Sequence, residues 1–348
     1  MEVIFDGDDV VVFIDRSGHK ASEIVVFSFS GHGMHKHENP RYGDGFLQKV
    51  GATGVFFTTK GDHWWQTREM PGAIEAANRA TLGIRRRVTY GQSMGGFGAA
   101  CFAQDLGAEY LVTAPQLSIR TSEAKLHQVW MDGFASRERV YPNAARRMSG
   151  ATGSIIYDSI HPMDTTHANL LKGLPGKHRR LIVPLASHFV PRTLTEMGVL
   201  SSIISDLIVT PNADLAQHRR EIRCRRLRSS RYVEMLTLYL RKRESPGLWL
   251  LAEQQILREI RTTKVKAADA PHLYEFLTSY DASRWGNRAD LAREKRKGDR
   301  LIEDLRAEIA CNKVVYEANL GETGSMHQQN RPRISDRLRS IGGYIWSR

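Results

Sequence analysis

Along the first 200 residues, short apolar runs alternate with polar or helical stretches. This spacing predicts an α/β fold, a mostly parallel sheet flanked by helices. Strands are expected over Val10–Ile14, Ile24–Ser30, Gly54–Thr58, Arg87–Tyr90, Tyr110–Ala114, Gly153–Tyr157 and Arg180–Pro184. Several of these runs are continuously apolar, as strands covered on both faces must be. Ala73–Leu82 reads as a helix, and Gly96–Ala103 as a small-residue helix able to lie close against a sheet. In such sheets ligands bind beyond the carboxyl ends of the strands, so the residues after each strand are where chemistry is expected.

The pattern changes after Pro211. Leu215–Glu244 shows no two-residue alternation and reads as one or two basic helices, interrupted at Ser245-Pro246-Gly247. Leu248, Leu251, Ala252, Ile256 and Ile260 then share one face at helical spacing. Leu291–Cys311 is charged, with Ile302, Leu305 and Ile309 as an apolar stripe, and the tail from Gly321 is polar and loose. The expected organisation is a sheet domain over 1–205, a basic α-helical region over 206–320 and a loosely ordered tail over 321–348.

Charge follows the same division. Of the net +12, residues 201–348 carry +9 and the first 200 only +3. Seven arginines lie between Arg219 and Arg231, enough to neutralise phosphates on nucleic acid or another polyanion. Aromatic residues are not interleaved with them as a single-strand binder requires, and a solvated or docked helix face is the favoured reading. No run of 18 apolar residues occurs, so no membrane span is expected. The acidic start Met1–Asp9 lacks a signal-peptide pattern, and Cys101, Cys224 and Cys311 are widely separated. A reducing, cytoplasmic location is therefore expected.

The sharpest chemical signal is Gly91-Gln92-Ser93-Met94-Gly95, a G-x-S-x-G sequence between an expected strand and an expected helix. There a serine sits on a tight turn with its hydroxyl at the end of the sheet, and flanking side chains would clash. A nucleophilic serine needs a base, and the base an orienting acid. Downstream, Asp158 follows one expected strand and His188 follows the next, in the order serine, acid, histidine. Asp158 is the first choice of acid and Asp164 the alternative, since the intervening loop can present either. His161 and His167 are weaker candidates for the base. The oxyanion donors are expected to be the N–H of Met94 and that of Ser30 or Gly31, in the glycine-bearing segment after an early strand.

Other residues past strand ends are candidates for substrate contact: His32, His63, Trp64, Trp65, Gln92 and Gln116. The tryptophans offer large rings with one N–H each. In the stretch from His32 through His35 to His37, alternating residues on an extended strand could place two imidazoles on one side, but no acid or cysteine completes a recognisable metal-binding set. Neither a metal nor another cofactor is expected.

On Gly91-Gln92-Ser93-Met94-Gly95-Gly96, an acid after the next-to-last strand and His188 after the last, residues 1–200 resemble the α/β-hydrolase fold family. Asp62-His63-Trp64 and Pro115-Gln116 add a likeness to a group of bacterial hydrolase-like proteins, some of them associated with surface-polysaccharide modules. The resemblance implies a serine esterase, deacylase or acyltransferase working through a Ser-His-Asp triad on a small-molecule or saccharide-linked acyl substrate. Only about 35 residues separate Ser118 from Gly153, too few for a large lid, which speaks against lipase-like interfacial activity. The contrasting reading is a non-catalytic hydrolase-fold scaffold whose basic helices bind a polyanion or a protein.

Overall fold

The computed structural model describes residues 1–279 apart from 133, 244 and 264–267. Met1–Asp281 form one compact unit, so the helices after residue 206 pack in the same unit as the sheet. The stripe of Ile302, Leu305 and Ile309, and the tail, lie outside the described residues.

Eight strands form a single sheet: β1 (Glu2–Asp6), β2 (Val10–Asp15), β3 (Ile24–Phe29), β4 (Thr53–Thr59), β5 (Arg86–Ser93), β6 (Glu109–Pro115), β7 (Thr152–Tyr157) and β8 (Lys177–Ile182). Their order is β1-β2-β4-β3-β5-β6-β7-β8. β1 and β2 run antiparallel to their neighbours, and all other pairings are parallel. The helices described are α1 (Asp44–Val50), α2 (Met70–Ala80), α3 (Met94–Cys101), α4 (Gln128–Asp132), α5 (Ala144–Arg147), α6 (Pro162–Asn169), α7 (Val190–Glu196), α8 (Leu200–Val209), α9 (Leu215–Arg225), α10 (Ser230–Arg243), α11 (Pro246–Thr263) and α12 (Pro271–Ser279).

The central strands β3 and β4 are buried along their whole length, which is why Ile24–Phe27 and Val55–Phe57 within them are continuously apolar. Two edge elements escape that signal. β1 is exposed or half-buried throughout, and β8 has one buried residue, Leu181, so its apolar content is low. β8 consequently starts three residues before the expected Arg180. The β1–β2 turn is tied by Glu69, whose carboxylate accepts the N–H groups of Asp8, Asp9 and Val10.

α3 packs on β5, β6 and β3. It is buried at every position, and its glycines and alanines let it approach the sheet closely. Arginines tie α8 and α9 to the sheet, each by donating to a backbone carbonyl across the junction. Arg86 on β5 donates to the carbonyls of Leu207 and Ile208 at the end of α8, and Arg219 on α9 donates to that of Arg180 on β8.

Candidate active site

Ser93 lies at the junction of β5 and α3 with φ 54° and ψ −118°, a strained backbone for a residue with a side chain. The glycines on either side permit it. A Cβ on Gly91 would collide with the Gly95 carbonyl, and one on Gly95 with the Phe29 carbonyl. The turn is thus wedged between its own helix and the end of β3. Trp65 supports it from within, donating its indole N–H to the Met94 carbonyl at 2.9 Å.

The Ser93 hydroxyl donates to His188 Nε2 at 3.0 Å. His188 Nδ1 donates to Asp164 Oδ1 at 2.9 Å. The histidine stands in the loop after β8, where Leu185 and Ser187 both have positive φ. Asp164 stands in the first turn of α6, where the helix dipole favours a carboxylate. It is fully buried and also accepts from Gln116 Nε2 at 2.9 Å. Burial pushes the Asp164 carboxyl up, but hydrogen bonds from His161 and His188 outweigh it and hold the group below its ordinary range.

The preference for Asp158 is therefore reversed: the carboxylate that meets His188 is Asp164. Asp158 is spent on backbone. Its Oδ1 accepts from Ile160 N and its Oδ2 from Ser187 N, at 2.9 and 2.8 Å. Being first after β7, it folds back into its own turn and anchors the histidine loop. Burial raises its pKa, partly offset by these N–H groups.

His167 is a core residue. Its Nδ1 accepts from Leu117 N and its Nε2 faces the Lys125 carbonyl, and burial lowers its pKa to about 4. His161 lies beside the acid instead, with Nδ1 3.2 Å from Asp164 Oδ1 and its ring centroid 6.0 Å from that of His188.

Of the expected oxyanion donors, Ser30 is excluded, since its N–H is bound to the Phe57 carbonyl at 3.0 Å. The Gly31 N–H faces Met34 Sδ at 3.1 Å, and Met94 opens α3, where first-turn N–H groups have no intrahelical partner.

Four of the expected substrate contacts prove to be internal supports. Trp64 and Trp65 are fully buried; Trp64 packs among Phe97, Trp130 and Phe134. His63 is buried against Trp65 with Nε2 at the Asp9 carbonyl, and burial lowers its pKa. Gln116 is buried and grips the acid. Gln92 is half-buried, its Oε1 accepting from Tyr42 Oη at 3.5 Å. His32 and His35 flank Asp62 at 3.5 and 3.4 Å, so an acid distant in sequence joins the histidine-rich stretch.

Trp130 escaped the sequence reading. It lies on α4, within the short segment between β6 and β7, and its ring sits 4.8 Å from that of His188. No local pattern marks it, because it stands 15 residues beyond the end of β6 and meets His188 only through the fold.

Among the described residues, one trio of histidines and carboxylates has its side-chain donor atoms within 4.8 Å of one another: His161, Asp164 and His188. Hydrogen bonding to a single carboxylate oxygen accounts for their convergence. Five of the seven arginines in the basic stretch also have protein partners: Arg219, Arg220, Arg225, Arg226 and Arg231. No helix among the described residues is long and apolar enough to cross a membrane.

The strand order, the antiparallel pairings of β2 at one end of the sheet and the strained serine between β5 and α3 make this the α/β-hydrolase fold. No protein-family model and no curated protein matches the chain. Solved structures similar to it include a thermophilic esterase of Thermogutta terrifontis, at 17% identity and TM-score 0.43, covering 61% of this chain and 96% of that one. A dienelactone hydrolase of Anabaena variabilis shows 16% identity and TM-score 0.40, covering 59% and 94%. The capsule O-acetyltransferase of Neisseria meningitidis serogroup A shows 13% identity and TM-score 0.38, covering 51% and 85%.

Proposed function

We propose that the chain is a serine hydrolase or acyltransferase that cleaves an ester or related acyl bond through an acyl-enzyme. The observation that carries this reading is the continuous hydrogen-bonded relay from Ser93 Oγ through His188 to Asp164. A scaffold has no need of a strained serine, an imidazole and a buried carboxylate in that register.

In the first half-reaction Ser93 Oγ attacks the acyl carbon and its proton passes to His188 Nε2. The imidazolium is stabilised by Asp164, which Gln116 holds in place. The carbonyl oxygen gains negative charge and is met by the N–H groups of Met94 and Gly31. Gly31 would exchange the Met34 thioether, a weak acceptor, for the oxyanion. The carbon–leaving-group bond then breaks, and the leaving group takes the proton from Nε2. Water, or an acceptor hydroxyl in the transferase case, repeats the sequence on the acyl-serine. Trp130 shields one face of the imidazole and borders the acyl site.

The basic stretch between Arg219 and Arg231 acts, on this reading, mainly to dock the outer helices, since most of its guanidinium groups already have partners. The test of the whole reading is turnover of short-chain aryl esters by the full chain. Wild type is expected to hydrolyse them and Ser93→Ala to fall to background. Equal rates in the two proteins would sink the proposal.

A further inference from the structure

Three side-chain nitrogens converge on one oxygen of a single buried carboxylate. Asp164 Oδ1 receives Gln116 Nε2 at 2.9 Å and His188 Nδ1 at 2.9 Å, and His161 Nδ1 stands 3.2 Å away. The relay needs only one of the two imidazoles. We propose that His161 is a positioning residue through which protonation weakens the hold of Asp164 on His188; this rests on the acyl-transfer reading above.

His161 Nδ1 plays opposite parts in its two protonation states. His161 caps α6, and its neutral ring can accept the backbone N–H of Asp164 at Nδ1, 3.4 Å away. Protonated, the same nitrogen carries a hydrogen and can only donate, and the acceptor within reach is Asp164 Oδ1. The carboxylate then serves two cations. Its single negative charge must stabilise both His161 and the imidazolium that forms on His188 as Ser93 attacks. The rings are 6.0 Å apart, and both side chains are largely buried, at 24% and 14% exposure, so the repulsion is poorly screened. The titratable groups facing His161 are Asp164 on α6, Asp158 at the end of β7 and His188 in the loop after β8. The hydrogen bond to Asp164 raises the His161 pKa against the opposing effect of burial, which brings the protonated form towards neutral pH. Lowering the pH through that range loads the second cation onto the acid and slows acyl transfer. Protonation of His161 therefore adds an ionisation to the acid side of the rate profile.

The test measures the rate of fluorophosphonate labelling between about pH 5 and about pH 8 in wild type, His161→Asn and His161→Ala. Asparagine is a good helix cap but does not titrate, so His161→Asn separates capping from charge. Wild type is expected to show an acid limb spanning two ionisations, and His161→Asn a one-proton limb. His161→Ala should show that one-proton limb with a lower melting temperature from loss of the cap. A His161→Asn profile that superimposes on wild type would reduce His161 to a cap and overturn the proposal. If wild type fails to label at every pH, the acyl-transfer reading fails instead. The ring resonances of His161 and His188 then decide the positioning claim: coupled titration sustains it and independent titration rejects it.

Discussion

The two sides of the candidate site are built by different means. On the nucleophile side, backbone collisions leave one solution. Gly91 and Gly95 admit no side chain, Ser93 has nowhere else to point, and Trp65 braces the start of α3. On the acid–base side the backbone leaves choices open. Two aspartates and three of the four histidines within 31 residues lie in loops or in α6, and hydrogen bonds alone sort them. The glycines that steric fixation requires are visible at single positions in the chain, whereas hydrogen-bond sorting depends on partners that no such residue marks, such as Ser187 for Asp158 and Gln116 for Asp164.

The contrast is broken most decisively at the two acids. Asp164→Asn is expected to lower kcat by roughly 10⁴, the scale for a triad aspartate. Asp158→Asn should mainly reduce stability, by about 1–3 kcal/mol, because a buried acceptor is compromised. Ester turnover with parallel denaturant melts checks both, and loss of rate only in Asp158→Asn would invert the assignment. On the nucleophile side Gly95→Ala is expected to cost about 3 kcal/mol or more in folding, because the clash is with a backbone carbonyl rather than a movable side chain. A melt within experimental error of wild type would show that the elbow is not sterically fixed.

A smaller effect separates the sides by pH. His167 ordinarily titrates at 6.5 but only at about 4 in the folded protein. Between those values the unfolded chain binds a proton that the folded chain refuses, so stability falls as pH falls. From pH 7 to pH 5 the loss from this group is roughly 2 kcal/mol. His63, also held neutral by burial, contributes in the same direction. Urea midpoints at the two pH values measure it, and His167→Asn should flatten the difference. The smallest expected change lies outside the site. Arg225→Ala, losing one exposed bond to the Gly198 carbonyl, should cost about 1 kcal/mol or less and leave ester turnover unaltered.

This division also explains what could be read from the chain alone. The strands β2 to β7 and the elbow are legible because burial, alternating along β2 and continuous along β3 and β4, and glycine collisions leave marks at single positions. β1 is a five-residue edge strand with no buried position, and β8 begins before its apolar residues, with Leu181 alone buried, so neither carries a clear mark. The serine and the histidine were found from order along the chain, but the same order does not distinguish Asp158 from Asp164. That choice depends on which carboxylate is consumed by N–H groups of another loop, a tertiary fact. His63, Trp64 and Trp65 follow a strand end as binding residues do, yet they face inwards, and residue type alone does not give direction. Trp130 was overlooked because its role comes only from its position over His188.

The central claim is that Ser93 is a nucleophile activated by His188 and Asp164. Its most direct test is treatment of the full chain with a fluorophosphonate, followed by peptide mapping. One adduct is predicted, on Ser93, absent from Ser93→Ala and strongly reduced in His188→Ala. A folded wild-type protein that acquires no adduct, or acquires it on another residue, would contradict the account.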